Sequence, residues 1–217
     1  ENHVRFLEIC WGAQRSGLFF TPVSTRLKPD ELAYVLENSG AKALFTTPKL
    51  AGLAREAAAG PGAPVVFIVG GEAEGFIPYE QAVADLPGTP IADQSPGRDM
   101  LYSSGTTGRP KGVKIDLGGG DLGTIPPAMG ALTRLYGFGE DTVNLTTAPL
   151  YHAGPLRYSI CLGHTGGTNI IMESFSPQGM LGLIQRWRVT HVEGEPTMFV
   201  RLLKLSGAER CAYVISS

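Results

Sequence analysis

Along this chain, stretches whose apolar residues recur at helical spacing alternate with short unbroken apolar runs, from one end to the other. The first pattern predicts helices with one buried face. The second predicts strands buried on both faces, as in a parallel sheet covered by helices. Helical periodicity over residues 3–16 leads into the apolar run 18–23. The clearest helix follows: Pro29 suits a first helical position, Asp30 and Glu31 complement the positive helix start, and Leu32, Val35 and Leu36 share a face before Gly40. Residues 43–46, 65–69 and 100–103 then read as strands, with helices predicted at 48–59 and 79–84.

Residues 86–97 are rich in Pro, Gly, Asp and Ser and read as a surface connection between two blocks, an approximate subdomain break. Beyond it the alternation resumes, with strands predicted at 146–148, 169–172 and 191–193 and helices at 156–162, 177–187 and 196–205. The expected fold is α/β, with mostly parallel sheets flanked by helices in a layered arrangement.

Composition narrows the function without naming it. With 43% hydrophobic and 18% charged residues over 217 positions, the chain can bury a real core. Eighteen basic residues against twenty acidic ones leave a net charge of -2 and no basic stripe, which argues against nucleic acid as a partner. No apolar stretch approaches the roughly 20 residues that cross a bilayer, so a cytoplasmic setting is expected. Cys10, Cys161 and Cys211 are far apart, lack metal-cage spacing and read as reduced thiols. The chain starts at Glu1 inside a helical pattern and stops at Ser217 after an apolar run, so both ends read as cut.

One segment carries chemistry. After the strand at 100–103 come Ser104, Gly105, Thr106, Thr107, Gly108, Arg109, Pro110, Lys111, Gly112 and Val113. Glycines let backbone N–H groups approach a phosphate, hydroxyls add donors or a metal ligand, and Lys111 adds a mobile positive charge. The spacing departs from the P-loop template, and Pro110 and Gly112 discourage a helix starting at the lysine. By composition alone, an exposed turn with an incidental lysine is the competing reading.

The run YSSGTTGRPKGV resembles, nearly residue for residue, the phosphate-loop signature of the adenylate-forming superfamily, which comprises acyl-CoA synthetases, luciferases and adenylation domains. RSGLFFTPVSTRLKPDELAYVLENSGAKALFT resembles the family's early segment and PLYHAGP its later substrate-gate motif, so the similarity extends over essentially the whole chain. It implies that a carboxylate and ATP form an acyl-adenylate, with release of pyrophosphate, and that the acyl group then passes to coenzyme A. A carboxylate is a poor electrophile because hydroxide leaves badly, whereas AMP leaves well. Donors and Mg²⁺ must then stabilise charge on the phosphoryl groups.

Carried over by motif, Ser103, Ser104, Gly105, Thr106, Thr107, Gly108 and Lys111 would surround the β- and γ-phosphates, with the hydroxyls of Thr106 and Thr107 as the Mg²⁺ candidates. His152 would line the acyl pocket and pantetheine channel, with Tyr151 and Gly154 beside it. Lys111 and His152 are thus the candidate catalytic residues. The competing reading of His152 is a partly buried structural histidine. His3, His164 and His191 match no motif and are given no role.

Gly118, Gly120 and Gly123 formally satisfy a dinucleotide fingerprint, but the preceding strand is short and two prolines follow, so a loop is expected there, with Pro126 starting the next helix. Glu195 stands before Pro196-Thr197-Met198 where the family often has Val or Leu, which puts a charge near the presumed acyl side. The family's adenine-contacting strand, ribose-binding aspartate and C-terminal lysine find no match before Ser217, so the isolated chain is expected to be inactive. Amino-acid adenylation domains usually carry Ser where Thr106 stands, and Asp in the gate where this chain has Tyr151 and His152. An acyl or aryl carboxylate without an amino group is therefore expected, a fatty acid first among them, with an amino-acid adenylation domain or a non-catalytic ATP- or acyl-binding module as alternatives. A homodimer is compatible with the resemblance.

Overall fold

The computed structural model describes residues 1–103, 109–117, 121–122 and 124–213. In chain order the elements are α1 (Val4–Arg15), β1 (Phe19–Phe20), α2 (Pro29–Ser39), β2 (Ala43–Thr46), α3 (Ala51–Ala57), β3 (Val65–Ile68), β4 (Ile77–Pro78), α4 (Tyr79–Ala84), β5 (Arg98–Asp99), β6 (Leu101–Ser103) and β7 (Lys111–Val113). There follow α5 (Pro127–Tyr136), β8 (Val143–Thr146), α6 (Ala153–His164), β9 (Thr168–Ile171), α7 (Pro177–Trp187), β10 (His191–Glu193), α8 (Pro196–Leu203) and α9 (Gly207–Cys211). They form two compact units, one of Glu1 and Cys10–Leu122, the other of Asn2–Ile9 and Gly123–Ser217. Residues 86–97 lie within the first unit.

The first unit is built on a parallel sheet, β2-β3-β4, with Leu44 facing Val66 and Phe67 facing Ile77 in register. Helix α2 forms as its sequence predicts: the Glu31 carboxylate accepts the Lys28 backbone N–H at 2.8 Å, and Gly40 closes the helix in the left-handed region at φ 67°. Its apolar face, Leu32 and Leu36, meets Leu44, Val66, Ala54 and Ala57 in the core. The predicted helix 48–59 divides into a 3₁₀ turn at Pro48–Leu50 and then α3, because Leu50 leaves helical geometry at φ -105°, ψ 9°. The apolar run 18–23 forms a strand only at Phe19–Phe20, since its partner β5 pairs at two positions. The Gly97 N–H donates to the Gln14 carbonyl at 2.6 Å, tying the end of the 86–97 connection to the end of α1.

The second unit centres on β8, paired in parallel with β10 on one side and β9 on the other. Alternate residues of β8 face opposite ways. Leu145 packs with Met172 and Met180 towards α7, while Thr146 shares a 3.0 Å hydrogen bond with Ser159 of α6. On that same face Asn144 donates at 3.0 Å to Thr146 Oγ1 and at 3.2 Å to Asn169 Oδ1, and Asn169 donates at 3.0 Å to the Ser159 carbonyl. The strand predicted at 146–148 thus begins earlier, at Val143. Its face towards α6 is polar, and a search for apolar runs passes over Asn144 and Thr146. The other predicted elements keep their type, with ends displaced by a few residues; β4 and α9 had no clear apolar signature.

Leu145 is fully buried and Leu203 is 70% exposed. Leu145→Ala should lower the unfolding free energy by about 2–5 kcal/mol, whereas Leu203→Ala should change it by less than about 0.5 kcal/mol, read as the shift in urea midpoint at constant slope.

Candidate active site

In the first unit, β6 and β7 form an antiparallel hairpin with Leu101 opposite Val113, Tyr102 opposite Gly112 and Ser103 opposite Lys111. The flanks of the Ser/Gly/Thr/Lys segment, Ser103 and Lys111, are thus paired in register. Ser103 and Lys111 are exposed, and the Ser103 hydroxyl points to the Lys111 carbonyl at a long 3.5 Å. Ser104, Gly105, Thr106, Thr107 and Gly108 lie outside the described residues.

Helix α2 braces both legs of this hairpin. The Tyr102 hydroxyl donates to Asn38 Oδ1 at 2.7 Å, and one helical turn earlier the Arg109 guanidinium lies 4.9 Å from the centre of the Tyr34 ring. Burial, and after it the neighbouring Tyr34, raise the Tyr102 phenol above its ordinary value and keep it a donor. Gly112 permits the close crossing of the strands: a Cβ there would stand 2.9 Å from the Tyr102 ring and 2.5 Å from Met100 Cε. Below the hairpin, burial pushes the Cys10 thiol up to about 12, with the Asp99 charge adding to it, so this thiol is inert near neutrality.

In the second unit, PLYHAGP spans the turn from β8 into α6. The His152 N–H donates to the Pro149 carbonyl at 3.1 Å, and the His152 carbonyl accepts from Leu156 N–H at 3.1 Å, so His152 is the residue that starts the helix. Its ring is exposed and lies 4.4 Å from that of Tyr151. The side chain of Asn2 fixes the turn. Its amide donates to the carbonyls of Ala148 at 3.0 Å and Met172 at 2.9 Å, and its carbonyl accepts from Leu150 N–H at 2.8 Å. One side chain thereby joins the ends of β8 and β9 to the turn that leads into α6.

Beside this turn opens a cavity of about 470 Å³, lined by the start of α6 (Ala153, Gly154, Arg157, Tyr158), the end of β10 (Val192, Glu193, Gly194), Leu132 and Tyr136 of α5, and Phe199 of α8. It sits at the carboxyl ends of parallel strands where the chain reverses its order across the sheet, β9 on one side of β8 and β10 on the other, the usual place for a ligand in α/β folds. Aromatic rings back it, with Tyr158 packed edge-on to Tyr136 at 5.0 Å and to Phe138 at 4.7 Å. Two charged residues, Arg157 and Glu193, interrupt this lining. Glu193 Oε2 is buried without a hydrogen-bond partner among the described residues, and burial, then the Glu195 charge, push the Glu193 carboxyl up to about 7.

Of the residues predicted from sequence, Ser103 and Lys111 face each other across the hairpin, and Gly154 lines the cavity. Tyr151 and His152 stand on the adjacent turn, outside that lining. His191 holds a structural place, its ring nitrogens meeting the Tyr136 carbonyl and the Thr190 hydroxyl, each at 2.9 Å. Sequence reasoning missed Asn2, Tyr34, Asn38 and Glu193. None belongs to a local motif, although the polar Glu193 inside an apolar strand pattern was a signal that could have been used. Among the described residues no group of three or more His, Cys, Asp or Glu is placed to hold a metal, and no helix is long and apolar enough to cross a membrane.

The sequence profile described as AMP-binding enzyme matches residues 1–216. A feruloyl-CoA synthase from Amycolatopsis sp is 31% identical over 91% of this chain and 38% of its own length. A 3-methylmercaptopropionyl-CoA ligase from Ruegeria pomeroyi is 27% identical over 96% of this chain and 40% of its own. A Rhodopseudomonas palustris crystal structure assigned as a long-chain-fatty-acid CoA ligase superposes with a TM-score of 0.80 at 23% identity, covering 96% of this chain and 52% of that one. The chain thus spans about two-fifths of the curated relatives it matches.

The brace on the hairpin is testable by a double-mutant cycle. Tyr102→Phe and Asn38→Ala should each cost about 0.5–1.5 kcal/mol in urea unfolding, and the double variant should cost less than their sum. Glu193 makes a pH prediction. A carboxyl raised above its ordinary 4.5 to about 7 favours the folded state fully below about pH 4.5, and that contribution is lost as the pH rises to about 7. Glu193→Gln should therefore gain stability relative to the native chain across that window and keep a constant offset above it, as measured by urea unfolding at a series of pH values.

Proposed function

The chain belongs to the AMP-binding enzyme family, and on that premise we propose that a full-length protein carrying it joins a carboxylic acid to ATP as an acyl-adenylate, releases pyrophosphate, and passes the acyl group to coenzyme A. The observation that carries this reading is the hairpin: a hydroxyl- and glycine-rich loop ending in Lys111, held at both ends by paired strands and braced by α2. A loop whose ends are fixed can present backbone N–H groups and the lysine ammonium to phosphate oxygens with little reordering when charge develops on them. Ser103 and Lys111 are exposed and carry no described contact that would oppose this role.

In this reading Ser104 to Gly108 contribute backbone and hydroxyl donors to the β- and γ-phosphates, and the Thr106 and Thr107 hydroxyls would hold Mg²⁺, which neutralises phosphate charge when bound. The acid occupies the cavity at the start of α6, against Gly154 and the aromatic rings of its lining. Tyr151 and His152, on the turn that leads into α6, would meet the approaching thiol of coenzyme A. The protein works in the cytoplasm. A fatty acid, the substrate favoured by the sequence resemblance, suits this lining except at the charged Arg157 and Glu193.

Lys111→Ala in the full-length protein should raise the apparent KM for ATP about tenfold or more, the loss expected for one charged hydrogen bond, while changing the KM for the acid much less. Equal effects on both substrates would remove the phosphate role. The 217-residue chain alone should release no pyrophosphate from ATP and acid. A non-catalytic binding module differs in that the full-length protein too would release none.

A further inference from the structure

Glu193 occupies an unusual position for a carboxylate. Its backbone is fixed twice, by pairing with Thr146 in the sheet and by the Thr147 hydroxyl, which donates to the Glu193 carbonyl at 2.6 Å. The side chain therefore leaves the end of β10 in a set direction, in a cavity lined by Leu132, Tyr136, Arg157, Tyr158, Val192 and Phe199. On the opposite wall stands Gly154. A Cβ there would come 3.1 Å from Glu193 Oε1, so no side chain of α6 comes between the carboxylate and the helix start. Oε2 is sealed from water and accepts no hydrogen bond from any described residue. A buried acceptor without a donor is costly, and such groups in native proteins call for an explanation. Oε2 itself is covered, but Glu193 lines the cavity and its other oxygen, Oε1, faces the start of α6, where a ligand can bring a donor to the carboxylate.

We propose that Glu193 is a specificity-determining residue of this cavity, selecting carboxylic acids whose far end carries a hydrogen-bond donor, a hydroxyl or an amine, over acids that end in hydrocarbon. The assignment rests on the cavity being the acid's binding site. An incoming hydroxyl or ammonium gives the carboxylate a donor, whereas a methyl or phenyl end leaves it unpaired and strips it of its remaining water, so discrimination arises against the bare acid as much as for the substituted one. The upward displacement of the Glu193 carboxyl to about 7 agrees with a group lacking its partner. A structural role alone would move stability without moving the ratio of rates between matched acids.

The test is ATP–pyrophosphate exchange by the full-length protein on matched acids: hexanoic against 6-hydroxyhexanoic and 6-aminohexanoic, and 3-phenylpropanoic against its 4-hydroxy and 4-amino derivatives. In at least one set, kcat/KM for a donor-bearing acid should exceed that for its bare counterpart by about tenfold or more, the scale of a hydrogen-bonding site rejecting an analogue that lacks the donor. Glu193→Leu should bring the ratio to within about twofold, chiefly by improving the bare acid, and Glu193→Gln, which keeps an acceptor, should retain part of it. A native ratio near one in every set, or a ratio untouched by Glu193→Leu, overturns the proposal. Gly154→Leu separates the two levels of failure. If it raises KM for all the acids but leaves that for ATP, the cavity is the acid site and only the role of Glu193 is at stake. If it changes no acid's KM, the reading of the cavity itself is lost.

Discussion

The parallel pairing of β8 with a strand on each side sets the position of everything else in the second unit. Parallel strands end on the same edge of a sheet, and in this register Thr146 is level with both Glu193 and Ile171. The turn into α6, the end of β10 and the end of β9 are thereby gathered at one edge. The reversal of strand order at β8 sends the following segments to different sides and opens the cavity between them. Slipping one residue in this register would turn Glu193 away from the cavity and Asn144 away from its polar partners.

The two faces of β8 are held by different physics. Towards α7 the contact is apolar, Leu145 against Met172 and Met180, and tolerant of small adjustments. Towards α6 it is a chain of hydrogen bonds through Asn144, Thr146, Ser159 and Asn169, which has directional requirements and so specifies one placement of the helix. Since α6 begins at His152 and carries Gly154 in its first turn, that polar network also places the cavity wall. Asn2 serves the same end from outside the helix by holding the preceding turn against two strand ends.

In the first unit the corresponding constraint is local. A hairpin of three-residue strands has little stability by itself. Here the Tyr102–Asn38 hydrogen bond and the Arg109–Tyr34 contact attach its two legs to successive turns of α2, a helix whose other face is anchored in the core by Leu32 and Leu36. The rigidity of the loop's ends is thus inherited from an ordinary amphipathic helix. That helix lies inside the early segment that resembles the family's, so the hairpin and a helix distant in sequence are physically joined.

The sequence by itself determined the α/β class, the α2 cap and its apolar face, and the loop of glycines, hydroxyls and Lys111. Each of these is written in residues adjacent in the chain or spaced by one helical turn, and each follows from backbone geometry and local hydrogen bonding. Tertiary structure alone decided where β8 begins, because Asn144 and Thr146 are buried with partners that lie 25 and 13 residues away, which no apolar pattern records. It also decided that Asn2 clamps a turn 148 positions along the chain and that Tyr34 and Asn38 brace the hairpin. The solitary carboxylate of Glu193 among aromatic rings belongs with them. Its meaning comes from what surrounds it in space, and a linear pattern carries no information about that until the sheet register brings β10, α5, α6 and α8 around one cavity.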